Sequence, residues 1–199
     1  MDFYFTLETT GSAAYKDRGS KFLAYCYPLQ TAEEFKKHLQ AIKKEHPKAA
    51  HYCFAYRIGF DGNNHRASDD GEPSGTAGKQ ILGQLDSKNI TNALVIVIRY
   101  FGGTLLGVPG LINAYKTATS LALQCTQIVQ KPVEIKYSIH FDYTILNDVM
   151  HILKQFKCTI HKNEMQLFCD IEAGIPKTNL HYVTDALENI PNVKFKKLG

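Results

Sequence analysis

Two glycine-containing stretches hold the residues whose types and spacing could do chemistry. In the first, Arg99 follows an apolar run and precedes glycines at positions 102, 103, 107 and 110, with a helix expected after them. Glycines let a backbone approach a ligand closely, and the free N–H groups of a helix N-terminus favour an anion. A guanidinium can hold a phosphate or carboxylate through two hydrogen bonds. The alternative, left equally open, is a tight turn in which Arg99 pairs with a local carboxylate.

The second stretch runs from residue 66 to residue 79 and carries three carboxylates within four positions, Asp69, Asp70 and Glu72. Such oxygens could bind Mg²⁺, or one of them could act as a general base. Their spacing does not match an EF-hand loop. The favoured interpretation is a solvated turn whose carboxylates accept backbone N–H groups or pair with Arg66 and Lys79.

Histidine and cysteine add little to this set. His51 lies two positions from Cys53 on an expected strand, and such neighbours are more often incidental than a nucleophile pair. The five cysteines form no CxxC pair, and their odd number argues against a disulfide framework. No structural zinc spacing is present. We therefore expect free thiols, no bound metal and no cofactor.

Composition excludes several classes of protein. The chain has 199 residues, 44% of them apolar, and a net charge of +4, which argues against disordered and collagen-like chains. The longest aliphatic run, residues 93–98, is far shorter than the ~20 residues that cross a bilayer. No Walker phosphate loop occurs. We expect a cytoplasmic protein with no membrane partner, and no DNA sequence specificity.

Periodicity predicts the elements that position these stretches. A strand is expected over 21–29, and a helix follows the capping-box spacing of Thr31 and Glu34. Residues 51–60 alternate as a half-buried strand ending in a turn at 61–64, and residues 65–78 read as a loop. Residues 93–98, apolar on both faces, indicate a central strand. The glycine-rich turn then leads to a helix over 111–125.

A second pattern begins after residues 130–132, where Pro132 interrupts regular structure. Beyond it, the order strand, helix, two strands, helix, strand is typical of the ferredoxin-like split unit. The sequence therefore predicts an α+β protein of two domains, residues 1–130 and 131–199.

The two chemistry-bearing stretches together resemble the YigZ/IMPACT family. The similarity lies in Ser68-Asp-Asp-Gly-Glu-Pro-Ser-Gly-Thr-Ala-Gly-Lys79 and in Val97-Ile-Arg-Tyr-Phe-Gly-Gly-Thr-Leu-Leu-Gly107, and residues 20–23 and 51–55 are similar to earlier stretches of the family. The resemblance implies an N-terminal βα sandwich of the ribosomal protein S5 domain-2-like type. It also implies a ferredoxin-like C-terminal domain similar to the last domain of elongation factor G.

The resemblance also implies a function, since eukaryotic IMPACT members regulate translation. This chain is similar to the bacterial type, without the RWD module of eukaryotic members, so their kinase-pathway partner is not expected here. We expect a non-enzymatic, translation-associated regulatory protein that binds RNA or a ribosome-linked partner through the glycine-rich strand-to-helix loop. The alternatives are an enzyme acting on a small phosphorylated or carboxylated metabolite and a protein-binding module. Pro109, which has no N–H, leaves one donor fewer for an anion.

We expect the two stretches to lie against each other, with Arg99 paired to a carboxylate of residues 66–79. The expected binding residues come from both stretches. They are Arg66, Ser68, Asp69, Asp70, Glu72, Ser74, Thr76, Lys79, Arg99, Tyr100, Phe101, Gly102, Gly103, Gly107 and Gly110, with His51 and Lys116 as accessory residues.

Overall fold

The computed structural model describes residues 1–60 and 63–198 and shows a mixed α/β protein. The chain divides into two compact units. One is Tyr4–Lys131, and the other combines Met1–Phe3 with Pro132–Gly199. The break in the chain thus falls beside Pro132, and the first three residues belong with the C-terminal part because the Asp2 carbonyl accepts the Val133 N–H at 2.8 Å.

The elements of the chain up to Pro132 are β1 (Phe3–Leu7), β2 (Gly11–Asp17), β3 (Ser20–Pro28), α1 (Ala32–Glu45), β4 (His51–Ile58), β5 (Asn64–Ser68), α2 (Gly78–Ser87), β6 (Ala93–Tyr100), α3 (Gly107–Gln124) and β7 (Ile128–Pro132). Five of these strands form the antiparallel sheet of the first unit, in the order β2-β3-β6-β4-β5. The β6 strand lies at the centre and is buried from Ala93 to Arg99. The central position expected from its apolar run is confirmed.

Side-chain alternation on β6 divides the core of this unit into two layers. Val95 and Val97 join a cluster with apolar side chains of α2 and α3. Leu94, Ile96 and Ile98 point to the other face and pack with α1. Because successive side chains of a strand point to opposite faces, Arg99 emerges on the α2–α3 face and Tyr100 on the α1 face.

The capping-box spacing at the start of α1 is confirmed. The Thr31 hydroxyl accepts the Glu34 N–H at 3.2 Å, and the Glu34 carboxylate accepts the Gln30 N–H at 2.8 Å. The Thr31 bond satisfies one free N–H group of the first turn, and the Glu34 carboxylate reaches back to the residue before the N-cap.

Several boundaries differ from the expectation. The predicted loop 65–78 begins as β5, which pairs with β4, so Arg66 and Ser68 lie on a strand. The α3 helix begins at Gly107 rather than residue 111, which places Gly107 and Gly110 in its first turn. The strands β1, β2 and β7 were not predicted. Asp61 and Gly62, from the predicted turn at 61–64, lie outside the described residues.

The second unit follows the predicted order of elements. It comprises β8 (Glu134–Asp142), α4 (Leu146–Gln155), β9 (Thr159–Met165), β10 (Phe168–Pro176), α5 (Leu180–Glu188) and β11 (Lys194–Lys197). Its antiparallel sheet has the order β11-β8-β10-β9. Residues of α4 and α5, such as Val149 and Val183, pack with Ile139 and Ile171 on one face of the sheet.

Within residues 1–60 and 63–198, no helix combines the length and the apolar character that crossing a membrane requires.

Candidate functional site

A buried ion pair lies where β6 ends. Nη1 of Arg99 donates to both carboxylate oxygens of Glu72, at 2.8 and 3.0 Å. Only 6% of the Arg99 side chain and 3% of the Glu72 side chain are exposed. The expected pairing of Arg99 with a carboxylate of residues 66–79 is confirmed, and it joins the two stretches.

The Glu72 carboxylate also accepts a hydrogen bond from the Tyr115 hydroxyl of α3, at 2.8 Å. The Cys53 thiol lies 3.3 Å from that hydroxyl and 2.9 Å from the Asp69 carbonyl oxygen. Burial raises the pKa of Cys53 and the pKa of Tyr115, and for Tyr115 the neighbouring Cys53 and Glu72 raise it further. Both groups therefore stay protonated, so Cys53 acts here as a neutral thiol rather than as a thiolate nucleophile.

The imidazole of His51 lies beside this pair with a fixed tautomer. Its Nδ1 lies 2.8 Å from the Asp70 carbonyl oxygen, and because a carbonyl only accepts, Nδ1 is the donor. In the neutral ring Nε2 then carries the lone pair, and it lies 3.8 Å from the Glu72 carboxylate.

The remaining Arg99 nitrogens are held more loosely. Nη2 lies 3.4 Å from the Ser20 hydroxyl, which also accepts the Gly102 N–H at 3.3 Å. The guanidinium carbon lies 5.5 Å from the ring centroids of both Phe22 and Phe101. Buried Nε has no hydrogen-bond partner among the described residues.

The Asp69 carboxylate lies before α2 in the chain and caps the N-terminus of that helix, which orders residues 66–79. It accepts the Gly75 N–H at 2.9 Å, the Ala77 N–H at 2.9 Å and the Gly78 N–H at 2.8 Å, at the start of α2. Gly78 packs so closely on the Ser68 backbone that an added Cβ would lie 2.6 Å from the Ser68 nitrogen. The expectation that carboxylates here accept backbone amides therefore holds for Asp69.

Asp69→Asn is expected to lower the free energy of unfolding at pH 7 by about 2 kcal/mol, because charged acceptors form the stronger hydrogen bonds. Burial acts to raise the pKa of Asp69, but the three backbone N–H groups outweigh it and bring the pKa below the ordinary 3.8. The wild type should therefore lose this contribution only as the pH falls below about 3.8. When the free energy of unfolding in urea is measured from pH 2 to pH 7, the variant should lack the decrease at acid pH that protonation of Asp69 causes in the wild type. Identical pH profiles for the two proteins would contradict the capping role of Asp69.

A cleft of about 370 Å³ opens above the ion pair. Its floor is polar and its walls are apolar, and it is lined by His51, Glu72, Pro73, Arg99, Phe101, Leu105, Leu106, Gly107, Val108 and Leu111. Three large side chains form an exposed rim: Phe101, Val108 and Leu105, the last 82% exposed. The α3 N-terminus lies in this lining without a side-chain cap.

Not every expected residue lies at this cleft. Tyr100 points to the α1 face, where its hydroxyl contacts His46 Nδ1 at 3.0 Å. Arg66 lies over the Phe54 ring on that same face. Three further side chains, Ser74, Lys79 and Lys116, are exposed and outside the lining. The expectation that Tyr100 and Arg66 lie at the cleft is therefore wrong, because the alternation of side chains along each strand turns both of them to the α1 face.

The other expected residues shape the backbone around the cleft. The Asp70 carboxylate accepts the Tyr52 N–H at 2.7 Å, Ser68 accepts the Asp70 N–H, and the Thr76 hydroxyl donates to the Pro73 carbonyl. Gly103 takes a φ of 86°, which favours glycine.

Sequence reasoning missed Tyr115, Ser20 and the rim residues Leu105 and Val108. Tyr115 falls on the apolar stripe of α3, where its hydroxyl was the only sign of a polar partner. Among residues 1–60 and 63–198, no group of three or more His, Cys, Asp or Glu side chains is arranged to hold a metal ion.

The residues that line the cleft lie within a stretch that matches a known protein family. The model of the Impact N-terminal domain matches residues 18–123. The chain is 36% identical over 191 residues to IMPACT family member YvyE of Bacillus subtilis (strain 168), covering 96% of this chain and 88% of that protein. It is 31% identical over 159 residues to IMPACT family member YigZ of Escherichia coli (strain K12), covering 79% and 78%. A crystal structure described as that of a hypothetical protein is similar over 100% of this chain and 98% of its own, at 26% identity and a TM-score of 0.76.

Proposed function

The chain belongs to the IMPACT family, and from this premise we propose that it is a translation-associated regulatory protein that binds a ribosome-linked protein partner through the cleft. The family resemblance supports the translational role, and with that role we propose a cytoplasmic location. With it we propose the two implied fold types: an S5 domain-2-like βα sandwich for Tyr4–Lys131 and a ferredoxin-like domain for the second unit.

One observation carries the proposal: the Arg99–Glu72 pair forms the floor of a cleft whose rim is apolar and exposed. A buried ion pair contributes little net stability compared with apolar side chains of the same size. Its presence at a cleft floor is better explained by the recognition of polar groups on a partner. Clustered exposed apolar side chains, here Phe101, Leu105 and Val108, mark interaction surfaces.

The lining favours a protein segment over RNA at this cleft. No described residue of the lining is a lysine, and its one arginine is buried and already paired. Nucleic-acid binding draws most of its affinity from accessible basic side chains that contact phosphates. An apolar side chain of such a segment would pack against the exposed rim, and polar groups of its backbone would reach the α3 N-terminus and the ion pair of the floor.

A small-molecule enzyme is the second candidate, favoured by the position of His51. Its Nε2 lies 3.8 Å from the Glu72 carboxylate, so a group that can accept a proton lines the same cleft as the buried ion pair. Under this candidate, one of a panel of phosphorylated and carboxylated metabolites would raise the melting temperature of the wild type.

The proposal is tested with Leu105→Asp, which places a charge on the rim at a side chain that is 82% exposed. Purified bacterial ribosomes and their subunits are sedimented with the full chain. We expect the variant to lose co-sedimentation at least about ten-fold, as for a residue central to an interface, with an unchanged melting temperature. Tyr182→Asp, at a side chain of α5 in the second unit that is 61% exposed, is the matched control and should sediment as the wild type does. Equal sedimentation of both variants and the wild type would contradict the proposal.

A further inference from the structure

A second surface, unrelated to the cleft, lies on the sheet of the second unit. We propose that the sheet face opposite α4 and α5 binds single-stranded RNA, with one base stacked against His140 and Phe168 and the backbone phosphates at Lys194 and Lys196. This goes beyond the proposed function, which uses the other unit, and only the choice of RNA over DNA rests on the translational role.

Strand register places these side chains on one face. His140 of β8 lies opposite Asp170 of β10 and opposite Lys194 of β11, while Ser138 lies opposite Lys196. The alternate residues Ile139 and Ile171 belong to the core beneath. A shallow pocket of about 340 Å³ is lined by Ser138, His140, Asp170, Lys194, Phe195 and Lys196.

The pocket lies beside an exposed ring pair. The rings of His140 and Phe168 have centroids 5.5 Å apart and planes at 20°, and Phe168 is 53% exposed. The two rings come from β8 and β10, the central strands of the sheet. A nucleobase stacks on such a platform whatever its identity, and four-stranded sheets in RNA-binding proteins use aromatic side chains in this way.

Charge favours phosphate on the β11 side of the rings. Lys194 and Lys196 are exposed, and neither lies within 4.0 Å of a carboxylate in the described part of the chain. The Asp170 carboxylate is held by His140 Nδ1 at 2.9 Å. On the β9 side, Glu164 is paired with Lys162 at 2.7 Å. Two further carboxylates share this face: Glu172 of β10, opposite Ser138 and Lys162, and Asp142 of β8, which accepts the Thr144 N–H and hydroxyl. The two lysines of β11 therefore provide basic groups on one side of the rings, whereas the carboxylates lie along β10 and β9 or are held by other groups.

The experiment measures fluorescence anisotropy of the full chain with a labelled single-stranded RNA of about ten nucleotides, within the usual site size for one domain. Phe168→Ala should weaken binding at least about five-fold, the lower limit for losing one stacked base. Lys194→Ala with Lys196→Ala should reduce the slope of log affinity against log salt by about 1.4, for two lost phosphate contacts.

Matched controls come from the helical side of the same unit. Tyr182 is exposed and stacked on Phe156, so Tyr182→Ala removes a comparable ring. Lys154 of α4 and Lys197, which lies opposite Tyr137 on the other face of β11, provide the lysine control. Both controls should bind as the wild type does.

Three results would overturn the inference: no measurable binding, equal loss in test and control variants, or equal affinity for a DNA of the same sequence. The Leu105→Asp variant changes only the cleft of the first unit, so it should bind the RNA as the wild type does. The RNA-binding inference and the proposed role of the cleft can therefore fail independently of each other.

Discussion

Glu72→Ala is expected to lower the free energy of unfolding by about 3–5 kcal/mol, because it leaves the Arg99 guanidinium buried without its counter-charge. The same substitution removes the acceptor of the Tyr115 hydroxyl. Urea unfolding at neutral pH measures the effect. The matched control is Glu164→Ala, which breaks an ion pair of similar length, 2.7 Å, whose side chains are more than half exposed. That control should cost less than about 1 kcal/mol, and equal losses in the two variants would show that burial of the Glu72 pair does not matter.

Gly102→Ala is expected to lower the free energy of unfolding by about 3 kcal/mol, at the upper end of the cost of overpacking. An added Cβ at Gly102 would overlap the backbone of Gly19 and Ser20, which cannot rotate away as a side chain can. The same approach brings the Gly102 N–H to the Ser20 hydroxyl that also contacts Arg99. The cleft floor should therefore loosen along with the fold.

The control for this variant is Gly83→Ala in α2, where an added Cβ meets no atom within 4 Å. Alanine is the better helix former, so this variant should gain about 0.5–1 kcal/mol. Thermal unfolding of both variants gives the comparison. A Gly102→Ala protein as stable as the wild type would mean that the two backbone segments separate at little cost.

The pairing of Arg99 with the 66–79 stretch could be predicted because β6 is apolar on both faces. A strand of that kind is central, and an arginine at its buried end needs a nearby anion. Which carboxylate it meets could not be predicted. Asp69 and Asp70 are occupied by backbone N–H groups, and only the turn through Gly71, with a φ of 86°, brings Glu72 inward.

The errors at Tyr100 and Arg66 have one physical cause. A strand sends successive side chains to opposite faces, so two neighbouring residues of a motif cannot both reach the same cleft. The motif gives the residues in order but does not say which face each takes. The side-chain faces of the second unit were easier to predict, because the apolar residues of β8 alternate from Ile135 to Phe141 and so identify the face that packs on the core.

The rim of the cleft carried no recognisable signal in the sequence. Leu105 and Val108 follow a glycine-rich turn, where apolar residues are equally consistent with core packing. Their exposure depends on α3 starting at Gly107, four residues earlier than the apolar stripe indicated. The bond from Tyr115 to Glu72 depends on contact between segments 43 residues apart, which no local pattern in the sequence indicates.

The most direct test of the cleft as the functional surface uses the double variant Glu72→Met with Arg99→Met. Replacing both charges of a buried pair by apolar side chains of similar size is often neutral, so the unfolding free energy should stay within about 2 kcal/mol of the wild type. Co-sedimentation of this folded variant with bacterial ribosomes and their subunits is then measured beside the wild type. The account predicts that association falls at least about ten-fold, whereas association equal to that of the wild type would contradict it.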